Sequence, residues 1–442
     1  MAGIYKAYDI RGIYGKDLTE DVAYQIGRAF VTFLGCRKVV VGQDMRPHTR
    51  PLFADLSRGL AEQGADVVDL GLCSTPMSYY ANGKLNADAG IMITASHNPG
   101  EWNGFKMCRE QAIPISGATG IVEIENIVSS GKFAEPHSVS GSISSHNVHS
   151  DYAEHIRSFA DLRRPVRLAV DFANAMGIFE HKALDGLVET DPLFDELDGT
   201  FPNHEANPIK EETYQPLQAM MRSGSYDFGI AYDGDADRVG FLDEKGTIIP
   251  MDIITALIAQ MMLRKEPGAT VFYDLRSSWA VREVIEENGG TPVMSRVGHA
   301  FIKQQMREKN AIFAGELSGH YYFRDNYFTE SSSLAVLSVA NLVSQSDKPL
   351  SEMIRPIQRY AASGEINSVV KDPDAVYSRL RDSYGHGKVI ELDGVSFEFD
   401  DWWFNVRLSN TEPLVRLNLE AKEAISMSKH RDQVLAIIRA DS

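Results

Sequence analysis

One order of elements occurs three times along these 442 residues, and it limits the fold more than any other feature of the chain. An apolar, strand-like run closes on an aspartate at RKVVVGQD (37–44), again at VRLAVD (166–171) and again at ATVFYD (269–274). Each is followed by a segment with helical spacing, then by a short apolar run that ends in polar chemistry: AGIMITASHNP (89–99), YDFGIAYDGDADR (226–238) and NAIFAGELSGH (310–320). Strands alternating with helices predict mainly parallel sheets covered on both faces, with ligands gathering at the carboxyl ends of strands. All three polar loops occupy that position. The expectation is an α/β protein of three similar mixed-sheet domains pointing their loops into one central cleft.

The length itself calls for several cores, three or four domains of roughly 100 to 150 residues. A Ser-rich stretch at 138–150, the end of FLDEKGTI near 249 and AASGE near 362 are the expected boundaries. They divide the chain into 1–150 with the serine loop, 151–249 with the acidic loop, 250–362 with the GELSGH loop, and 363–442. The last part differs from the others: a strand pair, VSFEF and WWFNVRLS, precedes a helix from about 423, a small α+β domain with its own loop SNTEPLVR (409–416).

Charge narrows the partners. Lys and Arg total 44 against 61 Asp and Glu, a net charge of −17, which would repel a nucleic-acid backbone while permitting a small anion wherever cations are gathered locally. Cys36, Cys73 and Cys108 are odd in number and spaced neither as metal ligands nor as a disulfide framework, which suits a reducing cytoplasm. MAGIYKAYDIRG has no leader character, and the longest apolar stretch, IITALIAQMML at 253–263, reads as a buried helix too short for a bilayer.

Four loops carry candidate chemistry. Ser96 lies just beyond the run IMIT, with His97 beside it and Lys106 across the loop. A turn would explain Ser, His, Asn and Pro together, whereas a phosphoryl carrier would need nearby charge and a proton route, which His97 and Lys106 offer. In DGDADR, the carboxylates of Asp233, Asp235 and Asp237 are costly to hold together without a cation, and an oxygen-only set suits Mg²⁺ or Ca²⁺ rather than zinc. An EF-hand ending at Glu244 fails at its sixth position, where Arg238 replaces the required glycine. An aspartyl-phosphate phosphatase, with Asp233 and Asp235 at a strand end, survives that test. In GELSGH, Glu316 and Ser318 offer an acceptor and a donor for sugar hydroxyls. In RLSNTEPLVR, Ser409, Asn410 and Thr411 between Arg407 and Arg416 make a phosphate site, a helix cap, or both.

A phosphoryl carrier, a divalent-metal loop, a sugar-gripping loop and a phosphate clamp are parts for moving phosphate on a phosphosugar. TASHNP, DGDADR, GELSGH and SNTEP, with YDIRG at 8–12, span the whole chain in one order, and the chain resembles the α-D-phosphohexomutase superfamily of bacterial phosphomannomutases and phosphoglucomutases. The resemblance implies a cytoplasmic isomerase, monomer or weak homodimer, that acts on small phosphosugars and binds neither nucleic acid nor membrane. It makes Ser96 the phosphoserine and assigns one Mg²⁺ per chain to Ser96, Asp233, Asp235 and Asp237. It sets Arg238 beside that phosphate and gives proton transfer or positioning to Lys106 and His299. Tyr8 and Arg11 line the cleft, Glu316 and Ser318 bind sugar hydroxyls, and Arg407, Ser409, Asn410 and Thr411 hold the non-reacting phosphate. Hexose 1,6-bisphosphate is the implied intermediate and activator. At Arg276 many relatives carry lysine; an arginine keeps the charge but moves no proton at neutral pH, so phosphate or sugar contact is its expected role. GELSGH is similar to the GEMSGH of bacterial enzymes that accept mannose and glucose phosphates. Mannose phosphate is the first expectation, glucose phosphate or dual use the second.

Overall fold

The expected strands form where apolar, β-branched runs end in polar turns. The structure, a computed structural model, describes residues 3–408 and 414–440. The chain forms two compact units, Met1–Met251 with Gly298–Met353, and Asp252–Val297 with Ile354–Ser442.

The first unit contains two mixed sheets of one design. Lys38–Gln43 lies between parallel neighbours Asp66–Leu72 and Ala89–Ile93, and Trp102–Arg109 then pairs antiparallel with Ala89–Ile93. Likewise Arg167–Asp171 lies between parallel Glu189–Leu193 and Phe228–Tyr232, with Val239–Leu242 antiparallel beyond. Val39, Val41, Ile91, Ile93 and Phe105 bury one face of the first sheet under Phe30, Leu52, Leu56 and Leu60 from its helices. The Ser-rich stretch read as a boundary contributes a sheet-edge strand, Ile143–Ser145, parallel to Asp66–Leu72. Edge pairing uses backbone N–H and C=O groups alone, so three exposed residues suffice and no apolar pattern announces them. In the same unit Phe313–Gly315, Tyr321–Phe323 and Thr329–Glu330 pair antiparallel.

In the second unit Thr270–Asp274 and Thr291–Ser295 pair in parallel. The C-terminal part is an antiparallel sheet in the order Ala361–Val369, Leu414–Ala421, Trp402–Leu408, Val395–Glu398, Lys388–Ile390. Helices Pro373–Tyr384 and Ala424–Ile438 bury Leu380, Val434 and Ile438 against Phe397, Phe404, Val406, Leu417 and Leu419. AASGE opens the first strand of this sheet, with a bulge between Ala362 and Glu365.

The three repeated aspartates have one job in common. Asp44, Asp171 and Asp274 each accept the amide two residues on, from Arg46 at 3.1 Å, Ala173 at 2.9 Å and Arg276 at 2.8 Å. Each carboxylate closes the turn at its strand end. IITALIAQMML lies within the helix Met251–Lys265, largely buried. No described helix is long and apolar enough to cross a membrane.

Candidate active site

Ser96 follows the strand Ala89–Ile93, is 1% exposed, and has the left-handed φ of 51° that a non-glycine residue adopts only under constraint. Its hydroxyl donates to Asp233 Oδ2 at 2.8 Å and lies 3.1 Å from His97 Nδ1. Gly234 permits the approach: a Cβ there would stand 2.1 Å from the Ser96 carbonyl oxygen.

Asp233, Asp235 and Asp237 follow the strand Phe228–Tyr232, all buried, each offering an oxygen within 4.8 Å of the others. Lys106, on the strand Trp102–Arg109, donates to Asp235 Oδ2 at 2.6 Å and also to Asp237 Oδ2. Burial works against the Lys106 charge, but Asp235 and Asp237 outweigh it and hold the ammonium protonated above its usual range. Burial together with Asp235 and Asp237 pushes the Asp233 carboxyl up to about 8. Among the described residues, Asp235 Oδ1 is buried without a hydrogen-bond partner, and Asp237 Oδ1 meets only ion-pair contacts from His320 at 3.3 Å and Arg238 at 3.9 Å. Three crowded carboxylates with an unused buried oxygen fit a hard divalent cation, whose charge would relieve their repulsion. Glu244, the twelfth position of the rejected EF-hand, is bound by the Ser351 hydroxyl at 2.6 Å and the Ser351 amide at 3.0 Å.

Two helix starts hold the acidic loop from behind. Thr75, at the start of Thr75–Lys84, donates its hydroxyl to Asp235 Oδ2 at 2.6 Å, and Ser332, at the start of Ser332–Ser344, donates to the Ala236 carbonyl at 2.8 Å. The neighbouring Ser74 and Ser333 converge on the buried Glu180, which also accepts from Tyr152. Thr75 and Glu180 escaped the sequence reading, since a helix cap and a lone glutamate carry no motif.

GELSGH brings further groups to the same place. Glu316 accepts from the Gly298 amide at 3.0 Å and the Tyr322 hydroxyl at 2.5 Å, and the half-buried Ser318 lies 2.8 Å from His320 Nδ1. His320, quoted in the motif yet given no role, is opposed as a cation by burial but raised to about 9 by Asp237. His299 opens the helix His299–Lys309, its ring 5.8 Å from that of Tyr8 and 6.3 Å from that of His320. Burial, then the charges of Lys303 and Lys106, hold His299 well below the usual imidazole range and so neutral. Arg11 reaches back to the serine loop, donating to the Ala95 carbonyl at 3.2 Å and Asn98 Oδ1 at 2.5 Å. Arg238 lies 3.8 Å from Asp233 Oδ2. Ser96, Lys106, the three aspartates, Arg238, Tyr8, Arg11, His299, Glu316 and Ser318 thus all belong to the first unit.

The second unit gathers cations. Arg407, Arg416 and Arg276 surround the single carboxylate of Glu365 at 3.2, 3.1 and 3.7 Å, and Arg276 also pairs with Asp274 at 2.7 Å. Burial and the neighbouring Arg276 oppose the Arg407 charge, the mark of a crowded cationic site. Ser409, Asn410 and Thr411 lie outside the described residues.

Family models match nearly the whole chain: phosphoglucomutase/phosphomannomutase alpha/beta/alpha domain I at residues 3–135, domain II at 150–246, domain III at 250–360, and the C-terminal domain at 365–437. A phosphomannomutase of Escherichia coli K12 is 39% identical, covering 98% of this chain and 97% of its own. The chain belongs to the phosphoglucomutase/phosphomannomutase family. That membership makes it a hexose phosphate mutase, an isomerase of the α-D-phosphohexomutase superfamily. A protein of Xanthomonas campestris named for phosphohexose mutases is also 39% identical, covering 98% of each chain. A family member from Burkholderia thailandensis has a crystal structure of TM-score 0.90 at 32% identity, covering 99% of this chain and 97% of its own. With family models across all four parts, the phosphatase reading of DGDADR has nothing left to explain.

Proposed function

We propose that this chain interconverts mannose 1-phosphate and mannose 6-phosphate, with Ser96 as the phosphoryl carrier and a hexose 1,6-bisphosphate as intermediate and activator. The observation that carries the reading is the 2.8 Å hydrogen bond from the Ser96 hydroxyl to Asp233, in a buried acidic loop whose other two carboxylates, Asp235 and Asp237, accept from Lys106. The four domains assigned to 1–150, 151–249, 250–362 and 363–442 each supply one loop to this chemistry.

In the first half-reaction a free sugar hydroxyl forms a bond to phosphorus as the bond from phosphorus to Ser96 Oγ breaks. Net, one proton passes from the sugar hydroxyl to Ser96. The neutral imidazole of His299 has a lone pair to take that proton, and its neutrality follows from burial beside Lys303 and Lys106. Lys106 and Arg238 bring positive charge to the phosphoryl group, where most catalysis of such transfers originates. The bisphosphate turns end for end, and the second half-reaction returns its other phosphoryl group to Ser96. Mg²⁺, one ion per chain, would be held by Asp233, Asp235, Asp237 and an oxygen at Ser96, and when bound it offsets the negative charge on the transferring group. Glu316 and Ser318 bind sugar hydroxyls, and Tyr8 and Arg11 line the site. Arg276 and Arg407, with Ser409, Asn410 and Thr411, hold the phosphate that is not reacting.

Mannose is favoured by GELSGH and by relatives named as phosphomannomutases at 38–39% identity from Escherichia coli and Methanocaldococcus jannaschii. The Xanthomonas name, covering phosphohexoses generally, favours dual use. Peptide mass spectrometry after incubation with Mg²⁺ and glucose 1,6-bisphosphate tests the carrier: phosphate on Ser96 is expected, and an unmodified Ser96 overturns the mechanism. Comparing kcat/KM for mannose 1-phosphate and glucose 1-phosphate decides the sugar, equal values establishing dual use.

A further inference from the structure

We propose that Arg46 is a positioning residue for phosphoryl transfer, holding the Ser96 loop in its constrained conformation. This rests on the reading of Ser96 as the carrier. Arg46 belongs to QDMR, a stretch whose motif value lies only in the strand-ending aspartate, and its side chain is completely buried. A guanidinium has five N–H donors in a rigid planar fork. Arg46 makes five hydrogen bonds. Nε donates to Asp44 Oδ2 at 3.1 Å. Nη1 donates to the carbonyls of Pro99 at 2.6 Å and Trp102 at 2.9 Å. Nη2 donates to the carbonyls of Ser96 at 2.9 Å and Asn98 at 2.6 Å.

Four of those acceptors are backbone oxygens of the segment from Ser96 to Trp102, so one side chain sets the path of the whole loop. The Ser96 carbonyl is among them, and Ser96 is the residue with φ of 51°. A non-glycine residue stays in that region only where its surroundings over-determine it. With its carbonyl held by Arg46 and its amide donating to Thr94 Oγ1 at 2.9 Å, the Ser96 backbone is fixed on both sides of the residue whose hydroxyl donates to Asp233. Asp44 anchors the clamp, since its other oxygen accepts from the Arg46 amide at 3.1 Å and the Thr49 hydroxyl at 2.6 Å. The repeats make an internal comparison. Asp274 and Arg276 have the same spacing, but Arg276 turns back onto Asp274 and Glu365, and the second repeat has Ala173 at this position. In the repeat that carries the serine, the arginine at this position grips four backbone carbonyls of the serine loop.

A lysine keeps the charge but, as a compact ammonium with three donors, cannot span four carbonyls. The test uses full-length wild type, Arg46→Lys and Asp44→Asn with Mg²⁺, measuring thermal unfolding, initial rates with mannose 1-phosphate, and the rate of phosphate incorporation at Ser96 from glucose 1,6-bisphosphate. Folded Arg46→Lys is expected to lose about tenfold or more in kcat and in Ser96 labelling, with KM within about twofold of wild type, because a loosened loop misplaces the reacting oxygen. Folded Arg46→Lys with wild-type kcat and labelling, or a defect confined to KM, overturns the proposal. Should Arg46→Lys fail to fold, Asp44→Asn decides: it keeps all five donors and weakens their anchor, so kcat should fall about threefold or more at steady KM, and a wild-type kcat overturns the proposal. Wild type that takes no phosphate on Ser96 overturns the carrier reading and this proposal with it, a result distinct from a labelled wild type with an indifferent Arg46.

Discussion

Lys106 Nζ donates to Asp235 Oδ2 at 2.6 Å, joining the antiparallel strand of the first sheet to the loop that leaves the second. The same ammonium reaches Asp237, which also has ion-pair contacts from His320 at 3.3 Å and Arg238 at 3.9 Å, whereas Lys106 is the ion-pair partner of Asp235 among the described residues. Replacing Lys106 with Met leaves the buried Asp235 without that cation and Asp237 with His320 and Arg238 alone, and breaking a buried pair in this way costs about 3–5 kcal/mol. Chemical denaturation without divalent cations should show a loss of that order. Because added Mg²⁺ supplies the missing charge, its stabilising effect should be larger in the variant than in wild type. An unchanged denaturation midpoint would mean the bridge is not made in solution.

Glu180 joins three elements. Its carboxylate accepts from Ser74 at 2.6 Å, Tyr152 at 2.7 Å and the Ser333 amide at 3.1 Å, and its own carbonyl accepts from the Ser333 hydroxyl at 2.7 Å. Burial raises its pKa, with those hydrogen bonds pulling it back. Glu180→Ala should destabilise by about 3 kcal/mol or more and Ser74→Ala by about 1 kcal/mol, and the double variant should cost less than their sum, because both remove one bond. Additive losses in a double-mutant cycle would show that the two do not interact.

His181 makes stability depend on pH. Burial lowers its pKa from 6.5 to about 4, with the ring between Tyr232 at 3.0 Å and Thr190 at 2.8 Å. The unfolded chain takes a proton near 6.5 and the folded chain only near 4, so stability present above the higher value is lost as pH falls through that window. From about pH 7 to about pH 5 the loss from this residue is about 2 kcal/mol. Urea unfolding at both pH values should therefore show a smaller difference for His181→Gln than for wild type. Equal differences would place the titration elsewhere.

Arg407 is a buried contributor to the guanidinium cluster on Glu365 and is proposed to hold the non-reacting phosphate. Removing one charge-assisted phosphate contact costs about 1.5–3 kcal/mol, so Arg407→Ala should raise KM for mannose 1-phosphate by about tenfold or more. Arg407→Lys should recover only part of that, since an ammonium lacks the fork. A defect that appears in kcat alone would assign Arg407 to the chemical step.

The repeat, the strands and the loops that carry chemistry are legible in the order of the amino acids. Each of those depends on local order: apolar runs such as FGIAY form strands, Asp44, Asp171 and Asp274 close turns two residues on, and DGDADR concentrates charge within one loop. Ser96 and the three aspartates could be named on that basis. Which groups hold them emerges only once the chain is folded. Arg46 is 50 residues from the serine it grips, Thr75 is 160 from Asp235, and Glu180 is 106 from Ser74 and 153 from Ser333. A hydrogen bond depends on distance and angle in space and leaves no periodicity in the chain, so Arg46 and Glu180 read as ordinary charged residues until the fold buries them.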